Sequence, residues 1–397
     1  MKSTLTTETY REEMKAELDA ILRYWNTRMI DEQQGGFYGQ IDGEEQVHAD
    51  APKGVVLNSR ILWAFSAAAR ATGSPAWRAM ADRAYDYFVN HFIDRQYGGV
   101  YWSLDARGQL LNGRKQIYGL AFSLYGLSEY YRATGREDAL GEAKALFRLM
   151  EEKSYDPQRK GYYEAFARDW TPLEDLRLSP KDANERKTMN THLHVLEAYA
   201  NLYQACPDPL LRERIGGLLD VFDRYMVDSR NGHLILFFDE DWTVKSDLLS
   251  YGHDIEAAWL LLHCAEVTGD TDRIKKMRRQ ALRIANAAAE GLDKDGGLWY
   301  EKEGDLLVGE KHSWPQAEAM IGFLNAWLLS GEDRWLERSF ASWEFVKKYI
   351  KDPVHGEWHW GIQADHRPMP GQDKAGFWKC PYHNSRACLE IMERLQE

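Results

Sequence analysis

Six short stretches of the chain hold groups suited to acid-base chemistry: Asn58 with Arg60, Tyr118, Asn190 with His194, His253 with Glu256, Trp314 with Glu318, and Trp378 with His383. His253 and Glu256 stand three residues apart in Gly252-His253-Asp254-Ile255-Glu256. On a helix such a carboxylate can hold the imidazole and raise its basicity. The plainer alternative is a helix-surface pair, with Asp254 as an early-helix charge. Asn190 and His194 share a helix face within Asn190-Thr191-His192-Leu193-His194, where either histidine alone reads as a structural one. His383 follows Pro381, which can open a helix and place the imidazole in its first turn. Arg60 lies in the apolar run Leu57-Asn58-Ser59-Arg60-Ile61-Leu62-Trp63, where a guanidinium needs either a ligand or an internal salt bridge.

Three histidines and an arginine, with no Gly-rich phosphate loop, HExxH or nucleophile elbow, point to proton transfer without metal or nucleotide. Imidazoles titrate near neutrality and can take and return a proton at one carbon, while a guanidinium stabilises the enolate oxygen formed meanwhile. On a sugar aldehyde that carbon is C2. Sugar also suits the aromatic content of 13%, much of it in loops such as Tyr97-Gly98-Gly99-Val100-Tyr101-Trp102. Flat rings take the C–H faces of sugars and polar groups take the hydroxyls; taken singly, most of these rings read as hairpin packing. Two other readings stay open at this point. A glycoside hydrolase would use a carboxylate pair, for which Glu256 and Glu318 are available, but would leave the histidines without a task. A sugar-binding protein would need only the rings and the hydroxyl partners.

The elements that must position these groups follow from a repeat. A glycine heading an aromatic or aliphatic run recurs at Gly36, Gly99, Gly161, Gly232, Gly297 and Gly356, at intervals of 63, 62, 71, 65 and 59 residues. A near-fixed period of this length marks an array of one supersecondary unit. After each glycine run come a polar turn and two stretches with helical apolar spacing. Helix pairs are expected near 54–72 and 75–92, 114–133 and 137–154, 185–206 and 209–228, 249–270 and 271–291, and 313–331 and 333–350, with 6–24 and 381–395 supplying the first and last helices. Twelve helices in six pairs form an open solenoid or a closed toroid with one helix of each pair inside. Closure is favoured because neither end carries a polar capping repeat. In a toroid the six groups above all open into one mouth, toward which six helix N-termini aim partial positive charge.

The even repeat leaves no linker at which to divide the 397 residues, so residues 1–397 read as one domain. A net charge of −12 disfavours nucleic acid or an anionic membrane as partner. No apolar run approaches a membrane span, and Met1-Lys2-Ser3-Thr4 leads into a charged helix with no signal-peptide core, so a cytoplasmic protein is expected. Cys206, Cys264, Cys380 and Cys388 show no zinc spacing and are expected to be reduced and structural.

Four segments carry a family resemblance: Ala51-Pro52-Lys53-Gly54-Val55-Val56-Leu57-Asn58-Ser59-Arg60-Ile61-Leu62-Trp63, Lys187-Thr188-Met189-Asn190-Thr191-His192-Leu193-His194, Ser250-Tyr251-Gly252-His253-Asp254-Ile255-Glu256, and Lys374-Ala375-Gly376-Phe377-Trp378-Lys379-Cys380-Pro381-Tyr382-His383-Asn384. Together they resemble the cellobiose 2-epimerases of the N-acylglucosamine 2-epimerase superfamily, over nearly the whole chain. The resemblance implies an (α/α)6 barrel, all-α with short hairpins around the mouth, and no cofactor. It also implies C2 epimerisation of the reducing-end glucose of β-1,4-linked disaccharides such as cellobiose, lactose or mannobiose, by a monomer or homodimer, with aldose-ketose isomerisation as a side reaction. His253 and His383 would be the acid/base pair acting through a cis-enediolate, with Glu256 orienting His253. Arg60 would stabilise the enediolate, and His194 would assist ring opening. Tyr118, Asn190, Asn58 and Glu318 would hold sugar oxygens, and Trp314 and Trp378 would stack on the two sugar units. Within the superfamily a mannose or N-acetylglucosamine enzyme is the nearest rival, and the two tryptophans speak against it.

Overall fold

A computed structural model describes residues 5–396 and shows twelve α-helices among them. They are α1 (Thr7–Arg28), α2 (Val55–Thr72), α3 (Pro75–His91), α4 (Ile117–Thr134), α5 (Glu137–Lys153), α6 (Met189–Ala205), α7 (Pro209–Val221), α8 (Tyr251–Thr268), α9 (Thr271–Ala288), α10 (Ser313–Ser330), α11 (Asp333–Phe345) and α12 (His383–Arg394). Two outer helices run shorter than the spacing implies, because α7 and α11 close in π-helical turns at Phe222–Met226 and Val346–Ile350.

Even-numbered helices are enclosed on every side. In α2 every residue from Val55 to Ala69 is buried, and in α4 every residue from Ile117 to Tyr130. A helix with no wet face must lie inside. Outer helix α9 instead buries only one stripe, Met277, Ala281, Ile284, Ala285, Ala287 and Ala288, and leaves its arginines and lysines outside. Each inner helix packs on the next, and α12 packs on both α10 and α2, so the inner ring closes. Helix α1 lies on α12, which joins the two ends of the chain into the sixth pair and makes the molecule a closed (α/α)6 barrel. Four inner helices end alike, on a left-handed glycine at Gly73, Gly135, Gly269 or Gly331, a residue that terminates a helix at little steric cost.

The repeat is equally regular between the helices. After each outer helix a single antiparallel bridge forms: Ile30 with Phe37, Ile93 with Val100, Tyr155 with Tyr162, Val227 with Leu234, Leu292 with Leu298, and Lys351 with Trp358. A short strand before each inner helix then pairs with the hairpin of the next unit, as Lys115–Gln116 does with Ala165–Phe166. The bridge from Ile41 to Ala375 closes this outer belt across the chain ends. Buried lysines lock the belt: Lys53 on Asp31 at 2.9 Å, Lys115 on Asp94 at 2.8 Å, Lys187 on Asp156 at 2.9 Å, and Lys374 on Asp352. Removing one member of such a pair leaves the other charge buried and uncompensated, at a cost of about 3–5 kcal/mol. All four cysteines are unpaired. No helix among the described residues is long and apolar enough to cross a membrane.

Candidate active site

The starts of the inner helices bring the predicted groups together. On α2, Arg60 is 3% exposed, donates from Nη2 to the Tyr118 hydroxyl of α4 at 2.8 Å, and contacts Cys380 Sγ at 3.5 Å. Its guanidinium lies over the rings of Phe122 and Tyr382, at 4.1 and 4.7 Å. Among the described residues it forms no ion pair with a carboxylate, and its Nε is buried without a partner. The internal salt bridge considered for this residue is therefore not what the fold provides. A buried cation without a counter-anion is suited to an anion that arrives with the substrate.

On α6, His194 bonds Glu197 through Nδ1 at 2.9 Å, and its ring meets Tyr118 edge-on at 5.2 Å. Its neighbour His192 is the structural histidine: Nδ1 faces the Thr188 carbonyl at 2.6 Å, and Nε2 accepts the Tyr162 N–H at 2.8 Å. Gly161 must remain a glycine for this, since its φ is +80° and a Cβ would fall 2.6 Å from that Nε2. Asn190 holds a buried Oδ1 without a partner among the described residues, whereas the Asn58 carboxamide is turned back to donate to the Gly54 carbonyl at 2.9 Å.

His253 and His383 flank one tryptophan. Their ring centroids lie 4.8 and 5.4 Å from that of Trp314. His253 is held through Nδ1 by the Ser250 hydroxyl at 2.8 Å. His383 is held through Nδ1 by Glu318 Oε1 at 2.6 Å. Neither imidazole has a protein partner on Nε2 among the described residues. Burial lowers the His253 pKa to about 3, with His194 adding to the effect. Burial, then Arg60 and Arg386, hold that of His383 well below the ordinary imidazole value. Both rings therefore rest in the neutral form.

Two expected roles are corrected by this geometry. Glu256 does not hold His253; it bonds Arg386 on α12 at 2.5 Å, because a buried carboxylate gains more from a guanidinium than from a neutral ring. Glu318 is not a sugar ligand, since Oε1 is occupied by His383 and Arg386 and Oε2 by Trp259 Nε1 at 3.0 Å. The hydrolase alternative loses its pair for the same reason: both carboxylates are fully buried on one guanidinium nitrogen. Glu256, Glu318 and His383 also place ligand atoms close enough together for a metal ion, but the cation already facing the two carboxylates is Arg386.

Sequence reasoning missed Arg386, Glu197, Tyr382 and Ser250. Arg386 bonds Glu197, Glu256 and Glu318, and the Tyr382 hydroxyl donates to Glu197 at 2.7 Å. A signal was present, since Tyr382 and Arg386 stand four apart around His383 and Glu197 stands three residues after His194, positions that share a helix face. Trp378 completes the wall, 6.0 Å from Tyr118 and 6.0 Å from Trp102, away from the imidazole pair.

Relatives of this chain include carbohydrate epimerases. A cellobiose 2-epimerase from Bacteroides fragilis is 48% identical over 388 residues, covering 97% of this chain and 99% of the relative. One from Dictyoglomus turgidum is 37% identical over 376 residues, covering 94% and 96%. The solved structure of cellobiose 2-epimerase from Bacillus thermoamylovorans superposes with a TM-score of 0.94 at 40% identity, covering 98% of this chain and all of that one. The N-acylglucosamine 2-epimerase family pattern matches residues 35–387, and with near-full-length relatives on the same barrel, the chain belongs to that family.

Proposed function

We propose that this chain is a cellobiose 2-epimerase, inverting C2 of the reducing-end glucose of a β-1,4-linked disaccharide, and that residues 1–397 act as one catalytic domain. The observation that carries the reading is the buried Arg60 guanidinium, without a carboxylate, beside two imidazoles fixed through Nδ1. On this reading His194, supported by Glu197, assists opening of the reducing-end ring to the aldehyde. One imidazole of the His253 and His383 pair takes the C2 proton through Nε2. The C2–H electron pair moves into the C1–C2 bond, and the carbonyl electrons move to O1. The imidazolium and the enediolate then neutralise each other in an enclosed site, where electrostatic stabilisation is strong. Arg60 and the Tyr118 hydroxyl hold the enediolate oxygen.

A proton delivered by the second imidazole to the opposite face of C2 gives the epimer; delivery to C1, with the O2 proton passing to O1, gives the ketose. The delivering ring must carry a proton, taken from solvent, and the charge of the enediolate is what draws it onto the ring despite burial. On this reading Trp314, whose ring lies 4.8 and 5.4 Å from the two imidazoles, stacks on the reacting sugar, and Trp378 on the second unit.

A proton NMR time course with cellobiose in D2O tests the reading. The expected result is deuterium at C2 together with a mannose-type anomeric signal. Free glucose would indicate hydrolysis, and an unchanged spectrum would remove the disaccharide epimerase reading.

A further inference from the structure

Arg386 is 1% exposed, and it binds carboxylates from three inner helices. Nη1 meets Glu197 of α6 and the Tyr382 hydroxyl; Nη2 meets Glu256 of α8 at 2.5 Å and Glu318 of α10 at 2.6 Å. The guanidinium is held between the rings of Trp259 and Tyr382, at 5.0 and 4.4 Å, so the fork has little freedom to turn. Two of these carboxylates are the Nδ1 partners of His383 and His194. One side chain thus stands behind two of the three histidines assigned to proton movement.

We propose that Arg386 is the positioning residue for the proton chemistry: its fork sets Glu318 and Glu197 where they fix the rings of His383 and His194. This inference rests on the proton-transfer reading of the same site. A single guanidinium serves here because the two carboxylates come from different helices, and a planar fork with donors on both sides spans them as an ammonium does not. Burial drives both carboxyls toward the neutral form, and Arg386 is the largest opposing influence on each. A carboxylate so held accepts the Nδ1 proton of a neutral imidazole and points Nε2 at the substrate, as the acid of a catalytic triad does.

Two variants and one wild-type measurement test this. Wild type must first incorporate deuterium at C2 of cellobiose; if it does not, the functional reading falls, irrespective of Arg386. Arg386→Lys keeps the charge but loses the fork, and should lower kcat at least about 100-fold while KM changes less than about threefold. Arg386→Gln also removes the charge. The groups facing His383 are then Glu318, Glu256, His194, His253 and Arg60, and loss of Arg386, one of the cations that hold the His383 pKa down, raises the proton affinity of that ring. The acid limb of kcat/KM should therefore move to higher pH by at least about one unit. Arg386→Lys with kcat within threefold of wild type, or Arg386→Gln with an unmoved acid limb, would overturn the proposal. If neither variant folds, 15N-histidine NMR of the wild-type protein decides at pH 7. His383 should carry its proton on Nδ1; a neutral ring with the proton on Nε2 means that Glu318 does not fix it and overturns the proposal.

Discussion

Glu318 and His383 lie 65 residues apart in sequence and 2.6 Å apart in space, the carboxylate on α10 facing Nδ1 of the ring that opens α12. The pairing fixes which nitrogen can act. With Nδ1 occupied, only Nε2 remains for C2, so Glu318→Gln should leave cellobiose binding nearly intact and lower kcat, by about 10 to 100-fold. Removing the ring itself, in His383→Ala or His253→Ala, should abolish C2 deuterium exchange to about 10³-fold below wild type, with the far-UV spectrum preserved. Either alanine variant turning over near the wild-type rate would take that histidine out of the acid/base pair.

The two tryptophans should separate kinetically. Trp314 touches both imidazoles, whereas Trp378 packs on Tyr118, Trp102 and Phe377. Trp314→Ala should thus lower kcat as well as binding, because the rings it spaces lose their wall. Trp378→Ala should chiefly raise KM for cellobiose, by about two- to tenfold, the worth of one ring contact of about 0.5–1.5 kcal/mol. Steady-state kinetics on both variants reads the split; equal effects on kcat would mean that Trp378 also borders the reacting carbon.

Activity should persist into mild acid. The His253 pKa lies at about 3 and that of His383 well below 6.5, burial being the first cause of each. A depressed imidazole stays in its basic form as pH falls through the ordinary value and is lost only near the depressed one. The acid limb of kcat/KM should consequently fall below pH 6.5. A limb at 6.5 or above would show that water reaches the two rings in the resting enzyme.

Much of this molecule was legible in its sequence. The barrel was readable because each unit reuses one glycine-headed bridge, and the six site clusters were readable because each sits at the start of an inner helix. Pairings across helices were not. His253 and Glu256, at i, i+3, have the spacing of an ion pair, but Arg386, 130 residues beyond Glu256, is the stronger partner. Spacing along one helix states what can meet locally and nothing about a competing cation on a neighbour. The lysines that lock the belt escaped for the same reason, since Lys115 and Asp94 are 21 residues apart and separated by a hairpin.

The stability lost just above neutrality turns on one hairpin carboxyl. Glu164 follows the glycine run of the third unit and accepts from the Thr188 N–H at 2.8 Å and the Thr191 hydroxyl at 2.6 Å, tying the hairpin to the start of α6, which carries Asn190 and His194. Burial pushes its pKa up to about 8, against the opposing pull of those two bonds. A carboxyl raised in the folded state binds its proton more tightly there than in the unfolded chain. Its contribution is fully present below the unfolded value near 4.3 and is lost as pH rises through the folded value. Glu256 and Glu301 behave likewise but their loss is complete near 7, so the loss of stability between pH 7 and 8 belongs to Glu164. Wild-type Tm should fall up to about pH 8 and level off above it, and Glu164→Gln, which cannot ionise and still accepts from Thr188, should flatten the fall between pH 7 and 8. A wild-type Tm unchanged across the window, or an equal fall in the glutamine variant, would mean that the folded protein tolerates the charge at Glu164.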